Sequence, residues 1–490
     1  MSDKTPIIVW FRRDLRLSDH PALSAAVEAG RPLIPVYIHD PDADDPWPTG
    51  AAGRWWLRHS LAHLADALAA WGAPLLLRQG PEAATLADLA ASCGARAVFC
   101  NQVAEPWRQA QDIAVSESLA RRGVGMAFFS GSVLFDPERL MAGRERPWAI
   151  FAPFWRRCLS LPPPNRPLPV PSAPATPPGP AALSGPSPHA LLDAWRLVPE
   201  RPGGWDGLAA AWTPGEAAAQ ARLSAFLDDT ASDYQQQRDR VDRPGTSCLS
   251  PSLHWGELSV RQVWHAVSDS LEREPDGGAD DASRRAFLRQ LGWREFSTHL
   301  LHHAPELPSR PLNPRFGAFP SQSDPNALAA WQQGRTGYPL VDAAMRQMRE
   351  TGWMHNRLRM VAASFLVKHL LVPWQDGAAW FWDGLVDADL ANNSASWQWV
   401  AGCGTDAAPF FRIFNPVLQG RRFDPEGALV RRFVPELASL ATAHLHEPWR
   451  VGRGTPPLQY PPPLVDHSWA RQRALAAFRS LRPEAESESL

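Results

Sequence analysis

The feature that most limits what this chain can fold into is an alternation. Within residues 7–129, five short apolar runs are separated by helical stretches. Residues 7–11, IIVWF, read as a buried strand, and Pro21 to Ala29 as a helix closed by Gly30. Leu33 to Ile38 is a second strand. Leu57, Leu61, Leu64, Leu68 and Trp71 step by four and three along a helix that Gly72 ends. Strands at Leu75–Leu77, Ala97–Cys100 and Met126–Phe129 alternate with helices over 82–92 and 107–122. This order predicts an α/β, doubly wound, mostly parallel sheet with ligands at the carboxyl ends of its strands. Neither GxGxxG nor GxxxxGK[ST] occurs in this half, so a standard dinucleotide or P-loop site is not expected there.

The pattern then changes. From Pro162 to Pro188 the chain is rich in Pro, Ala and Ser and reads as an extended linker over the surface. Near Thr213 amphipathic helices begin; Thr213, Pro214, Gly215 and Glu216 read as a capping box with Pro at its first helical position. No convincing strand follows, and Gly277–Gly278 reads as a solvent loop. The division predicted is an α/β domain over 1–132, a linker over 133–212, an all-α domain over 213–480 and a short tail over 481–490. A length of 490 residues suits two or three domains.

Net charge is −2, so no global basic field points to nucleic acid, and any such contact rests on a local patch. Almost every basic residue is Arg; Lys4 and Lys368 are the lysines. The skew suits phosphate contacts and equally follows from a GC-rich coding bias. The five cysteines have no metal-ligand spacing and read as reduced thiols of a cytoplasmic protein. No secretory leader and no run of ~18 apolar residues is present, so no membrane span is expected.

The densest chemistry lies between Tyr338 and Arg412. Met354, Leu358, Val361 and Phe365 form one apolar helical stripe. Asn356, Arg359, Met360 and Ala363 form a second face, with an amide and a guanidinium beside a thioether. Asp387 and Asp389 sit in an apolar run before Asn392 and Asn393; buried carboxylates need partners, and Arg359 is a ready one. That pair either ties two helices together or walls a cofactor pocket. Trp374, Trp397 and Trp399 in the same stretch favour the pocket. Upstream, Tyr234 and Arg238 precede Thr246-Ser247-Cys248-Leu249-Ser250-Pro251. Ser250 with Pro251 reads as an N-cap and first-turn pair, either plain capping or an anion site fit for a pyrophosphate.

These motifs resemble the cryptochrome/photolyase family, and dimer photolyases above all. FRRDLRLSDHPAL at 11–23, WAIFAPFWRR at 148–157 and LSPSLHWGELSVRQVW ending at Trp264 match its pattern. TGYP, VDAAMRQM, WMHNRLRM, WQW, GTDAAP and FRIFNP follow in its order. The resemblance implies a U-shaped FAD held by Tyr234, Arg238, Thr246, Ser247, Leu249, Ser250, Arg294, Arg359, Asp387, Asp389 and Asn393. Asn393 would face flavin N5, where plant cryptochromes place an acid. Trp293 would stack on lesion pyrimidines flipped out of UV-damaged DNA. Asn356, Arg357, Met360 and Trp399 would line the lesion pocket, Arg421 and Arg422 would meet phosphates, and Trp397 and Trp374 would relay electrons. Asn101 and Glu105 would hold a folate antenna of the 5,10-methenyltetrahydrofolate type; otherwise Glu105 is a solvated loop carboxylate near a helix start.

Two positions depart from the pattern. Gln290 replaces the Glu of most dimer photolyases, and Ser321 stands where the outermost relay Trp falls. Gln there resembles the (6-4) branch, but that branch has His where this chain has Asn356 and Met360. The implied activity is light-driven repair of cyclobutane pyrimidine dimers by a monomer; the alternatives are a cryptochrome-type photoreceptor and a (6-4) photolyase. The short acidic end and Asn393 favour repair, while Gln290 and Ser321 favour the receptor.

Overall fold

The computed structural model describes residues 5–174, 185–201, 203–273, 278–406, 411–451 and 459–481. The middle of the expected linker, the tail beyond residue 481, Gly277 and the last part of GTDAAP lie outside them.

The first half is a five-stranded parallel sheet. Its strands are β1 (Ile7–Phe11), β2 (Leu33–His39), β3 (Leu76–Gln79), β4 (Ala97–Asn101) and β5 (Gly125–Phe129). Their order is β3-β2-β1-β4-β5. Between them run α1 (Pro21–Glu28), α2 (Ala51–Trp71), α3 (Glu82–Cys93) and α4 (Pro106–Ala120). Central β1 is buried on both faces, as a parallel strand covered by helices must be. Ile7, Val9 and Phe11 pack into one apolar layer and Ile8 and Trp10 into the other. Gly72 ends α2 in the left-handed conformation, φ 99°. After β3 the chain crosses to the other side of β1, so the switch point lies beside the carboxyl ends of β1 and β4.

The stretch expected to be linker is not all extended. It holds α5 (Pro137–Met141), α6 (Phe151–Ser160), α7 (Pro188–Ala194) and α8 (Asp206–Ala211). Residues 162–174 do lack regular structure, yet they are pinned to the first half. Leu168 and Asp19 exchange two hydrogen bonds, and Trp71 Nε1 donates to Pro171 O at 2.9 Å.

The second half comprises α9 (Glu216–Ala225), α10 (Tyr234–Gln237), α11 (Ser250–His254), α12 (Val260–Arg273), α13 (Ala279–His303), α14 (Pro325–Gln332), α15 (Pro339–Thr351) and α16 (Asn356–Ser364). Then come α17 (Trp374–Gly384), α18 (Leu390–Ala401), α19 (Pro416–Phe423), α20 (Ala428–Phe433), α21 (Thr442–Leu445) and α22 (His467–Arg479). Among the described residues no strand follows β5. Met354, Leu358, Val361 and Phe365 are all buried in the helical core, the stripe their spacing predicts.

Two capping expectations fail. Thr213 does not cap α9; the residue before the helix is Gly215, with no side-chain cap. Glu216 instead turns its carboxylate across the seam and accepts from Leu17 N and Ser18 N at 2.7 and 3.0 Å. A capping box is a local pattern, and here a tertiary donor pair outcompetes it. Ser250 is the first residue of α11 rather than its cap, a position taken by Leu249.

The seam is dense. Leu15 N donates to Trp255 O, and Arg16 Nη1 to Gly256 O at 2.8 Å. Gly256 has φ 68°, and a Cβ there would collide with the Arg13 carbonyl. Asp19, fully buried, takes Arg261 Nη2 at 2.6 Å and the Ser259 hydroxyl.

Candidate functional site

The site forms where α13 packs on α10, α12 and α18, and α18 packs on α16 and α17. The loop before α11 faces the segment before α18. Trp255 Nε1 donates to Val386 O at 2.9 Å, and Leu249, Tyr234, Leu390 and Ala391 share one apolar core. Segments far apart in the chain, 131 residues at this contact, therefore supply opposite walls.

On the first wall Tyr234 is buried edge-on to Phe287, 5.2 Å between centroids, with Arg238 over its ring. Burial pushes the Tyr234 hydroxyl up to about 12, so it stays a neutral hydrogen-bonding group. Ser247 Oγ accepts from Leu249 N at 3.4 Å, and Ser250 Oγ, exposed, takes Trp353 Nε1 at 3.3 Å. Leu249 has its side chain in the core, so only its backbone can reach a cofactor; this corrects any side-chain role for it.

On the second wall Arg359 and Asp387 form the ion pair. Nη2 lies 2.9 and 2.8 Å from the two carboxylate oxygens, while Nε donates to Met354 O. Asp389 accepts from Asn392 N and Nδ2 at 2.9 and 2.8 Å. Burial pushes its carboxyl up, but His254 and Arg294 pull the other way and leave it below the usual carboxylate range. His254 Nδ1 lies 3.8 Å from Asp389 Oδ2, too far for a hydrogen bond, and is buried without a partner. Asn393 donates from Nδ2 to Ala378 O at 3.0 Å, which fixes its amide and leaves the oxygen free to accept.

FAD fits this donor set. Hydroxyls of Thr246, Ser247 and Ser250 with Arg238 suit a pyrophosphate, and Asp389 and Asn393 suit polar edges of a flavin.

Around this centre lie the residues expected to meet a lesion. Trp293 is half-buried and stacks on Phe151 of α6, with centroids 3.7 Å apart at 8°. Gln290, one turn earlier, donates from Nε2 to Ala286 O at 3.1 Å. Asn356 is exposed, Met360 and Trp399 are half-buried, and Asn356 Nδ2 lies 3.8 Å from Met360 Sδ. Trp399 Nε1 donates to Asp406 O at 3.2 Å, with the Arg412 guanidinium 5.1 Å from its ring centroid. Arg357 pairs with Asp239 at 2.8 Å. Arg421 is paired with Glu447 yet exposed, and Arg422 is exposed and lies over Phe423.

Trp397 and Trp374 are both buried. Trp397 packs edge-on to Phe381 and Trp331, 5.0 and 6.3 Å between centroids. Trp331, fully buried, was not singled out from the sequence, nor were Phe151, His254 and Trp353. Phe151 and Trp353 stand inside the quoted motifs WAIFAPFWRR and WMHNRLRM, where a signal was available.

Asn101 and Glu105 line the cleft between the switch point and the helical half, beside Arg13, His254, Arg294 and Asp389. Both are engaged. Asn101 Nδ2 donates to Asp14 Oδ2 at 2.8 Å, its oxygen takes Ala22 N, and Glu105 pairs with Arg13. Glu105 is buried, which corrects its reading as a solvated loop carboxylate.

Comparison with known proteins agrees with this architecture. Residues 7–174 match the family model described as DNA photolyase, and 287–480 the FAD binding domain of DNA photolyase. The chain is 45% identical to a deoxyribodipyrimidine photo-lyase of Agrobacterium fabrum over 98% of its length and 99% of the relative's. It is 38% identical to cryptochrome-1 of Arabidopsis thaliana over 97% of its length and 70% of the relative's. It superposes on a bacterial class III photolyase from Agrobacterium tumefaciens with a TM-score of 0.89, at 44% identity over 98% of both chains. A parallel sheet joined to a helical half, the two matching family models and 45% identity over nearly the whole chain converge: this chain belongs to the cryptochrome/photolyase family and carries its FAD-binding domain.

Proposed function

We propose that this protein repairs cyclobutane pyrimidine dimers in DNA under blue light, as a cytoplasmic monomer. The observation that carries the reading is the uncovered face of two otherwise buried helices. Asn356 and Met360 of α16 and Trp399 of α18 reach the surface beside the FAD wall. Reduced FAD, when bound and illuminated, supplies the electron that opens the dimer. The chain supplies the rest. Trp293, braced by Phe151, offers a flat surface to an extruded lesion, and Met360 and Trp399 exclude water. Asn356 and Gln290 hydrogen-bond the pyrimidine edges; an amide donates and accepts but lacks the charge of a carboxylate. Arg359 and Asp387 hold the wall, Asp389 and Asn393 hold the flavin edge, and Arg422 with Arg357 neutralises backbone phosphate.

The domains we assign are 1–132, 133–212 and 213–480, with a tail from 481. In the cleft of Asn101 and Glu105 a folate-type antenna would have to displace the Arg13–Glu105 pair. With an exposed Ser321 in place of a Trp, photoreduction of oxidised flavin should be weak or leave through Trp380, Trp382 or Tyr338. A long-lived Trp radical in full yield after each is made Phe would refute that. The same Ser321 supports the photoreceptor as a second reading, and Gln290 the (6-4) lesion. The deciding experiment is to reduce the flavin of the purified protein and assay both lesion types in light and dark. Turnover of dimers alone supports the proposal, and light with no turnover of either lesion leaves the receptor.

A further inference from the structure

One lysine stands apart from the arginines. Lys368 lies in a π-helical turn, Phe365–His369, that continues α16 beyond Ser364. It is 1% exposed, among the largest fully buried side chains of the protein. No carboxylate among the described residues pairs with it. Its ammonium donates to Arg412 O at 2.8 Å and lies 3.8 Å from the centroid of Phe411. A buried ammonium is costly, and a single carbonyl with one ring face is the least that makes it tolerable.

Both ends of this contact lead to the lesion pocket. Lys368 lies in the last turn of the helical run that opens with Asn356 and carries Met360. Arg412, on the other side, sets its guanidinium over Trp399. Nearby, Phe414 N donates to Ser364 Oγ at 3.3 Å, and Phe411 stacks on Phe478 of α22 at 4.5 Å and 9°. We propose that Lys368 is a positioning residue for the lesion pocket: its ammonium clamps the Phe411–Arg412 backbone to the end of α16, which sets the Arg412 side chain on Trp399 and fixes the distance between the pocket's two walls. This rests on the lesion-pocket reading above.

A neighbour set of low charge supports the clamp. Burial pushes the Cys403 thiol up to about 12, and burial with the proximity of His467 pulls His369 down to about 3, so both are neutral near pH 7. Burial, with Arg412 adding to the pull, brings Lys368 down to about 7, so the clamp holds as an ammonium below that pH and weakens as pH rises through it.

The test uses the flavin-loaded full chain with Lys368→Met, which keeps the length and removes the charge. Hydrogen exchange of the 411–414 backbone should quicken about tenfold, the loss of one charged hydrogen bond. KM for a dimer-containing oligonucleotide should rise by a similar factor while the repair yield at saturation stays within about twofold, because the chemistry is untouched. Phe411→Leu, which keeps the carbonyl acceptor and removes the ring, should give about a threefold change in both readouts and serves if Lys368→Met does not fold. Unchanged exchange at 411–414 in a folded variant overturns the clamp. Faster exchange with unchanged KM overturns its role in the pocket. A wild-type protein that repairs nothing, yet shows the exchange effect, leaves the clamp standing and removes the repair reading instead.

Discussion

The cleft at the switch point and the wall around the proposed flavin are both lined with polar side chains, and they differ in how these are satisfied. At the switch point the carboxylates close on cations or amides, although Arg12 Nε and Arg16 Nε stay buried without a hydrogen-bond partner. Arg12 takes Asp112 at 2.6 and 2.8 Å, Arg13 takes Glu105, and Asp14 takes Asn101 with His20 3.1 Å away. Burial pushes the Asp14 carboxyl up, yet His20 and the Arg12 backbone hold it below the usual range. Along the wall, Ser250 and Asn356 are exposed, and the Asn393 oxygen has no hydrogen bond among the described residues. Buried charges paired with one another build scaffold; polar groups held in place yet open to the surface are available to a ligand.

The largest expected effect tests the scaffold side. Asp112→Ala leaves Arg12 buried and unpaired and should cost about 3–5 kcal/mol in chemical denaturation. Flavin affinity per folded molecule should not change; a lost flavin at unchanged stability would reverse the comparison.

Next comes pH. Complete burial pushes Glu295 up to about 7, against the pull of Arg294 and the donors Leu134 N and Phe135 N. The folded state keeps this proton to about pH 7, while the unfolded chain releases it near 4.5. The folded state therefore binds more protons in between, and stability falls as pH rises through that window, by roughly 1–3 kcal/mol. Urea midpoints across pH 4.5–7 should show the fall, and Glu295→Gln should flatten it.

The wall gives a smaller effect of the opposite kind. Thr246→Ala with Ser247→Ala should change stability by under about 0.5 kcal/mol while raising the FAD dissociation constant about tenfold. Flavin fluorescence titration measures it, and an unchanged constant would place the phosphates elsewhere. Smallest is the rim: Arg422→Ala should lower the salt slope of DNA binding by about 1, and Arg421→Ala by less, because Glu447 already holds Arg421.

Much of this comparison could be read in the sequence. Strand and helix alternation follows from local apolar period, and all five strands lie within two residues of their expected bounds. Arg359 and Asp387 were legible because a carboxylate in an apolar run needs a cation. What failed were features with a local form and a distant partner. Glu216 had the spacing of a capping box and serves the other half of the molecule. The alternative reading of Glu105 as a solvated carboxylate missed its buried pairing with Arg13. Lys368 gave no signal in a helical run, since its carbonyl partner lies 44 residues away.

The sequence by itself determined the periodic part of the protein: which segments are strands, which helical faces are apolar, and which motifs stand in which order. These depend on neighbours within a few residues, where geometry is fixed by the backbone. Tertiary structure alone decided which polar groups are left over. Whether a carboxylate, amide or ammonium is satisfied depends on partners far along the chain, and folding chooses among them by desolvation and distance, neither of which a linear order of residues records.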